Sequence, residues 1–499
     1  MSDFNFIEPS RQSTRGIAVL FGVNAYKFIK KLFILILTFS YAIIKKGEVF
    51  GLSLTKMLLI VFTIIVLIVL RSILQYLNFK FHIVGEDFML SKGILNKEKI
   101  TVSKSKIQNI YIKQNILQQI INVVQLDIET AGDANAEVNI TALSRAKALA
   151  LKEELLSHIN QTEKNINKSA IDENNIYYKA SVKKLLLEGF SQNHGRSFLL
   201  IAGFFGGLYS SYNDLLGELK IGDKIDDFMI ENQDSIGFLI LLFFGIFIFT
   251  LLFSVIFSLI NTFLLNYNLQ VIEHKKTIEI QKGLLNKVAI HLSPSRIQNI
   301  VISNNRLKRY FGLNTLVIKQ AMVDKRLLKH FSIVGLGKEQ VTYLTKKLIK
   351  KFKVISKKEK PEKYYIRILI YKSFLSIIFF NTISYFVLEN YFLLINIILL
   401  PVISILIHWR YKKAYYSIND EILLVGSGSV STITQLLEIH KIQAVATKQS
   451  IFQKIRKITT VKVFTASKET TILYIKEDKA NTIINFLLFQ IESGRKDWM

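Results

Sequence analysis

The residues of this 499-residue chain that could do chemistry are few in kind. There is no cysteine, which removes disulfides, thiol nucleophiles and thiolate metal sites. The eight histidines (His82, His158, His194, His274, His291, His330, His408 and His440) are scattered. None stands three or four residues from another, or from a carboxylate cluster in metal-ligand spacing. No phosphate-binding glycine loop, dinucleotide fingerprint or nucleophile elbow occurs. The run GSGS at 426–429 is an isolated Gly/Ser stretch at a strand turn. The sequence therefore predicts no catalytic residue, no metal and no cofactor.

What remains is cationic. Lys plus Arg number 65 against 38 acidic residues, a formal charge of +27. Residues 268–360 hold 21 basic against 5 acidic residues, whereas 78–180 are nearly balanced. The charge gathers at Arg306, Lys308 and Arg309, beside Tyr310 and Phe311, and again at Lys325, Arg326 and Lys329. A basic cluster with neighbouring aromatics suits anionic lipid headgroups, each cation near such a surface contributing about 1 kcal/mol. The plainer alternative is a solvated, lysine-rich face. Nucleic acid fits poorly, because stacking aromatics interleaved on strands are missing.

The elements that must position these residues are unusually apolar. Half of the chain is hydrophobic, which points to a membrane protein. Six apolar runs stand in three pairs: 32–44 with 57–77, 197–212 with 236–267, and 368–388 with 392–408. Each pair is followed by a long polar segment, so the order is hairpin, domain, three times over. The predicted domains are 1–77 (N-terminal segment and hairpin 1), 78–176, 177–267 (hairpin 2), 268–360, 361–408 (hairpin 3) and 409–499. The connection at 213–235 carries seven acidic residues and two lysines and should lie outside, with the polar segments cytoplasmic. Arg71 and Lys372 lie near span ends, where their long side chains reach the interface. Residues 16–31 and 177–190 read as interfacial helices or first turns of the spans.

The polar segments repeat. KGILNK at 92–97 matches KGLLNK at 282–287, and SKIQNI matches SRIQNI at the same offset of 190. A third copy follows 145 residues later. Gly93, Gly283 and Gly428 then correspond, as do Ile107-Gln108, Ile297-Gln298 and Ile442-Gln443. Strict strand alternation puts Ile297, Asn299 and Val301 on one face and Gln298, Ile300 and Ile302 on the other. The Ile-Gln pair survives three different electrostatic settings, so it reads as scaffold. Within each copy, short alternating runs predict strands, and 142–159, 337–352 and 478–491 predict closing helices. Asn122 and Lys457 stand where the second copy has Gly312, so those turns are expected to differ.

The fold class that follows is α+β: six transmembrane helices in three hairpins, each followed by a small helix-capped β-sandwich or barrel. Glycine, a basic residue and Ile-Gln, then a polar turn and RLKRYFGL entering a strand, resemble the second type of bacterial pleckstrin-homology-like domain. That resemblance spans nearly the whole chain. It implies PH-like sandwiches in a multi-pass bacterial cytoplasmic membrane protein and a part in envelope defence against membrane-active peptides. It supplies no catalytic residues. The expected function is a non-catalytic, lipid-facing scaffold, with membrane lipids and another copy or a second membrane protein as partners. The alternative is a transporter or lipid-moving subunit. Direct rather than inverted repeats, and a single proline in the spans (Pro401), disfavour it.

Overall fold

The computed structural model describes residues 4–46, 54–130, 138–156, 176–195, 197–204, 207, 236–274, 277–292, 294–321, 329–349, 358–467 and 469–493. Two compact units result: Met1–Tyr177 with Val271–His291, and Tyr178–Gln270 with Leu292–Met499.

Helix α1 (Gly16–Lys46) and helix α2 (Leu54–Asn78) lead into the first copy. Its strands are β1 (Lys80–Val84), β2 (Asp87–Lys92), β3 (Glu98–Ser103), β4 (Ile107–Gln114), β5 (Val124–Thr130) and β6 (Val138–Leu143). A short helix α3 (Ile116–Ile120) joins β4 to β5, and α4 (Arg145–Leu156) closes the copy. Strand β7 (Ile176–Lys179), α5 (Val182–Phe190) and the long apolar α6 (Ile236–Asn266) precede the second copy. That copy has β8 (Gln270–Glu273), β9 (Ile278–Lys282), β10 (Lys287–Leu292), β11 (Ile297–Asn304), α7 (Arg306–Tyr310), β12 (Asn314–Gln320), β13 (Ser332–Leu336) and α8 (Lys338–Leu348). Helices α9 (Tyr364–Leu388) and α10 (Asn396–Lys413) then lead to the third. It runs through β14 (Tyr415–Ile418), β15 (Ile422–Ser427), β16 (Thr432–Glu438), β17 (Ile442–Lys448), α11 (Ile451–Ile455), β18 (Ile458–Thr465), β19 (Thr470–Lys476) and α12 (Glu477–Ser493).

The repeat recurs in backbone detail. Gly93, Gly283 and Gly428 have φ of +108°, +110° and +112°. A Cβ on any of them would lie 2.0 Å from the carbonyl oxygen of Asn96, Asn286 or Ser431. Only glycine fits there. Asn122, Gly312 and Lys457 also share one conformation, with φ of +54°, +68° and +51°. The turn expected to differ is therefore the same turn in all three copies. Asparagine tolerates the left-handed region, and Lys457 is held there by its place after a capped helix. Asn115, Asn305 and Ser450 cap α3, α7 and α11, each side chain accepting a hydrogen bond from the amide three residues on.

Strict alternation fails at the repeated phrase. A β-bulge falls between Ile107 and Asn109, and again between Ile297 and Asn299 and between Ile442 and Ala444. The extra residue turns the strand, so Ile107 and Ile110 both enter one core, although three residues apart. Ile297 and Ile300, placed on opposite faces by simple alternation, are likewise both buried.

Strand pairing crosses copy boundaries. Unit 1 carries a seven-stranded sheet in the order β6-β5-β4-β10-β9-β8-β7, so β4 of the first copy pairs antiparallel with β10 of the second. Unit 2 carries β13-β12-β11-β16-β15-β14, where β11 pairs with β16 of the third copy. Two three-stranded sheets remain, β1-β2-β3 and β17-β18-β19. The core of unit 1 centres on Phe81, Phe88, Leu126, Ile128, Leu151 and Leu155. That of unit 2 holds Leu423, Leu437, Val461, Val463, Ile472 and Leu487.

Among the described residues, four helical stretches are long and apolar enough to cross a bilayer: Leu58–Asn78, Phe244–Asn266, Tyr364–Phe386 and Tyr391–Lys413. The first expected span lies in α1, whose side chains beyond residue 32 are outside the described set; of 197–212, residues 205–206 and 208–212 are outside it too.

Candidate functional site

The chain ahead of each set of apolar helices is tied to the strand that follows it. Ser10 and Phe81 exchange backbone hydrogen bonds of 2.8 and 2.9 Å. Ala180 donates to the Leu269 carbonyl at 2.9 Å, continuing the pairing of β7 with β8. Glu359 and Tyr416 exchange two bonds of 2.9 Å. Phe81 and Tyr416 are equivalent positions of the repeat, so the same junction is built at both ends of the chain.

At each junction sits one of the short capped helices. Leu117 of α3 comes so close to Gly22 of α1 that a Cβ there would lie 3.1 Å away. Asn305, which caps α7, donates to the Ser191 carbonyl just after α5. The Arg306 guanidinium lies over the Trp409 ring of α10, 3.8 Å from its centroid. Arg456, after α11, lies over Tyr364 at the start of α9. These helices carry their apolar side chains outward. Ile116, Leu117 and Ile120 are exposed in the first copy, and Ile451, Phe452 and Ile455 in the third. In the second, Arg306, Leu307 and Tyr310 take the same positions, with Tyr310 84% exposed.

The predicted basic residues separate. Arg306 and Arg309 are exposed on α7 beside Tyr310, and Lys329 is exposed on a loop. Lys325 and Arg326 lie outside the described residues. Lys308 turns the other way: it is 6% exposed and belongs to an internal cluster. Its Nζ lies 2.5 Å from Oε1 of fully buried Glu188 on α5 and 2.8 Å from Oγ1 of Thr315 on β12. Thr315 donates to the same carboxylate at 2.9 Å, as does Gln192. Helical spacing explains the inversion. One residue of a five-residue helix has to face the domain, and in the RLKRY run Lys308 holds the position filled by buried Gln118 and Gln453 in the other copies. Its charge is matched inside the fold and is not offered to a headgroup. Nothing in the sequence near Lys308 announced Glu188, 120 residues away.

Of the repeat residues, Ile107, Ile297 and Ile442 are all buried. Gln298 and Asn299 are each 1% exposed on β11, and the Asn299 amide donates to Gln435 and Thr470 of the third copy. Gln443 is exposed on β17, and the side chain of Gln108 is outside the described set.

The histidines do not all stay apart. His274, Glu279 and His291, after β8, on β9 and on β10, bring three potential ligand atoms within 4.8 Å of one another. Sequence spacing hid this because the three approach across a sheet, not along one element. Glu279 Oε2 lies 3.6 Å from Nε2 of His274 and 3.2 Å from Nδ1 of His291. Burial pushes the Glu279 carboxyl up, but the adjoining imidazoles of His274 and His291, together with the Lys152 charge, outweigh it and hold the group well below the usual carboxylate range. Burial pushes His291 down, against the pull of Glu279. These residues could chelate a divalent cation, yet Lys152 adds a positive charge felt by both Glu279 and His291. An internal polar cluster, with the Glu279 carboxylate facing two imidazoles and Lys152, accounts for the arrangement.

Comparison with known proteins now bears on this architecture. The chain matches the bacterial PH domain family in three places, residues 31–159, 215–352 and 375–490. It is similar to the UPF0699 transmembrane protein YdbT of Bacillus subtilis (strain 168), with 25% identity over 471 residues, covering 86% of this chain and 88% of that protein. With three matched units, each set behind apolar helices, the chain belongs to the bacterial PH domain family as a membrane protein.

Proposed function

We propose that this protein is a six-span scaffold that holds three PH-like domains against one face of a bacterial cytoplasmic membrane and acts without catalysis of its own. The observation that carries the topology is the entry–exit pairing. Backbone groups that hydrogen-bond to each other lie on the same side of a bilayer, so an even number of crossings separates them. Between Ala180 and Leu269 the described helix α6 supplies one crossing, and the apolar run 197–212 is the segment available for the second. The same logic makes α1 the partner of α2. The strong basic excess of residues 268–360 favours the cytoplasmic side for them.

The lipid-facing part of the reading rests on α3, α7 and α11. Each stands at the mouth of a hairpin with apolar or aromatic side chains outward, as shallow interfacial insertion requires. In the second copy Arg306 and Arg309 add affinity for anionic headgroups. Holding the lipid surface in this way suits envelope defence.

Because the chain has no cysteine, single labels test the contact cleanly. Ile120→Cys, Tyr310→Cys and Ile455→Cys would carry an environment-sensitive fluorophore on the full chain in anionic and in neutral vesicles. Expected is a blue shift and quenching by headgroup-region nitroxide lipids, strongest for Tyr310→Cys in anionic vesicles. Emission equal to that of exposed Asp478→Cys on α12 would remove the lipid contact.

A further inference from the structure

The two cross-copy joints are one joint made twice. In unit 1, β10 meets β4 with Lys287 opposite Gln114, Val288 opposite Lys113 and Ala289 opposite Ile112. In unit 2, β16 meets β11 with Thr432 opposite Asn304, Ile433 opposite Ser303 and Thr434 opposite Ile302. Under the repeat offsets of 190 and 145, these are the same three pairs. The helix beside the strand repeats its contact too. Gln119 of α3 donates to the Leu284 and Leu285 carbonyls of the second copy, and its counterpart Arg309 of α7 reaches Thr432 of the third.

Among the described residues, both halves of this joint also exist unmated. The third copy presents β17, the counterpart of β4 and β11, as a sheet edge. The first copy presents β3, the counterpart of β10 and β16, also as a sheet edge. Residue exposure marks the difference. Gln298 and Asn299 are buried in a made joint, whereas Gln443 and Ala444 at the same positions of β17 are exposed. Leu95 is 96% exposed on the first copy's turn, against 39% for Leu285 and 48% for Val430, its counterparts beside made joints. Lys441, which donates to the Pro294 and Ile297 carbonyls across the joint in unit 2, has exposed Lys106 as its first-copy counterpart.

We infer that β17 of one chain pairs antiparallel with β3 of a second copy, so that the protein assembles head to tail in the membrane. The register follows from the internal joints: Gln449 opposite Lys97, Lys448 opposite Glu98, Thr447 opposite Lys99, Ala446 opposite Ile100 and Val445 opposite Thr101. It sets Lys448 against Glu98, a charge-matched cross-strand pair that the internal joints lack. Edge strands without a partner are templates for further pairing. The occupant is a second copy because the surface β17 would meet is the one its counterparts already meet twice within this chain. The contact is heterologous, so it propagates to a closed ring or an open row.

The test uses two full-length chains with different tags, expressed together in membranes, one carrying Glu98→Cys and the other Lys448→Cys. Paired antiparallel residues have Cα atoms about 4.5–5.5 Å apart, inside disulfide reach. Oxidation should give a product of twice the monomer mass that carries both tags, at least ten-fold above the pair Glu98→Cys with Asp478→Cys. Absence of that product, or adducts formed only with proteins of other mass, would overturn the assignment. The substituted positions are exposed, and a thermal-unfolding trace matching the parent confirms that both chains are folded. The outcome is independent of whether α3, α7 and α11 touch lipid.

Discussion

Lys308 offers the sharpest test of which basic residues serve the surface and which the fold. Glu188 has no exposed surface, and three donors, Lys308, Thr315 and Gln192, converge on its Oε1. Lys308→Ala would leave that carboxylate buried with two neutral donors. Removing one partner of a buried ion pair costs about 3–5 kcal/mol, because the remaining charge is uncompensated. At roughly 2–4 °C per kcal/mol for a unit of a few hundred residues, the midpoint should fall by about 6–20 °C in detergent. Lys308→Met with Glu188→Leu removes both charges at similar volume and should restore most of the loss. Arg306→Glu with Arg309→Glu should cost about 1–2 kcal/mol, well below Lys308→Ala, since both are exposed and lose only the Trp409 and Thr432 contacts. Thermal unfolding of the purified chain, read by fluorescence, measures all three. A Lys308→Ala chain as stable as the parent but poorly bound to anionic vesicles would refute this reasoning and return the residue to the surface.

Two further outcomes follow from close approach and from titration. A Cβ on Gly189 of α5 would lie 2.9 Å from the Leu259 Cα of α6, so Gly189→Ala should push these helices apart and destabilise unit 2 by about 1–3 kcal/mol. Proteolysis at the α5–α6 boundary in detergent should rise with it, and unchanged resistance would count against the packing. In unit 1, His291 is lowered and Glu279 is lowered, so folding favours the deprotonated form of each. Their contribution is complete above the unfolded histidine value of about 6.5 and declines as pH falls, the His291 part first and the Glu279 part below about 4.3. The parent should therefore lose protection in β9 and β10 between pH 7.5 and 5.5 by hydrogen exchange, and His291→Gln should lose that dependence. Protection that increases on acidification would contradict the assignment.

The fold was legible in the sequence wherever it depends on local pattern. Gly93, Gly283 and Gly428 revealed the repeat because their turn admits no side chain, and a steric veto leaves a mark in every copy. The closing helices were legible for the related reason that apolar spacing registers one face: α8 buries Val341, Leu344 and Leu348, spaced three and four residues apart. What could not be read depends on distance along the chain. The partner of Lys308 lies 120 residues away, and the histidines meet Glu279 only across paired strands. Position within the short helix, not residue type, decided which cations face outward.

The Ile-Gln phrase shows why repetition and role must be separated. Ile107, Ile297 and Ile442 are buried in every copy, since a bulged strand needs an apolar anchor at its start whatever lies beyond it. The residues after it follow their neighbours instead. Asn299 is buried and bonded to the third copy because β16 lies alongside, while Ala444 stands exposed on β17. Asparagine at this position is retained where the strand is mated and replaced where the edge is open. A buried amide donor must find an acceptor: Asn299 finds Gln435 and Thr470 across the joint of unit 2, and Asn109 finds Glu129 within its own copy. An edge that opens only onto water makes no such demand, and one that takes up β3 of another chain must do so without the amide. Alanine at 444 therefore makes the terminal joint chemically distinct from the internal ones. Assembly through it should be weaker than either internal joint, as a contact between separate chains requires if it is to be reversible.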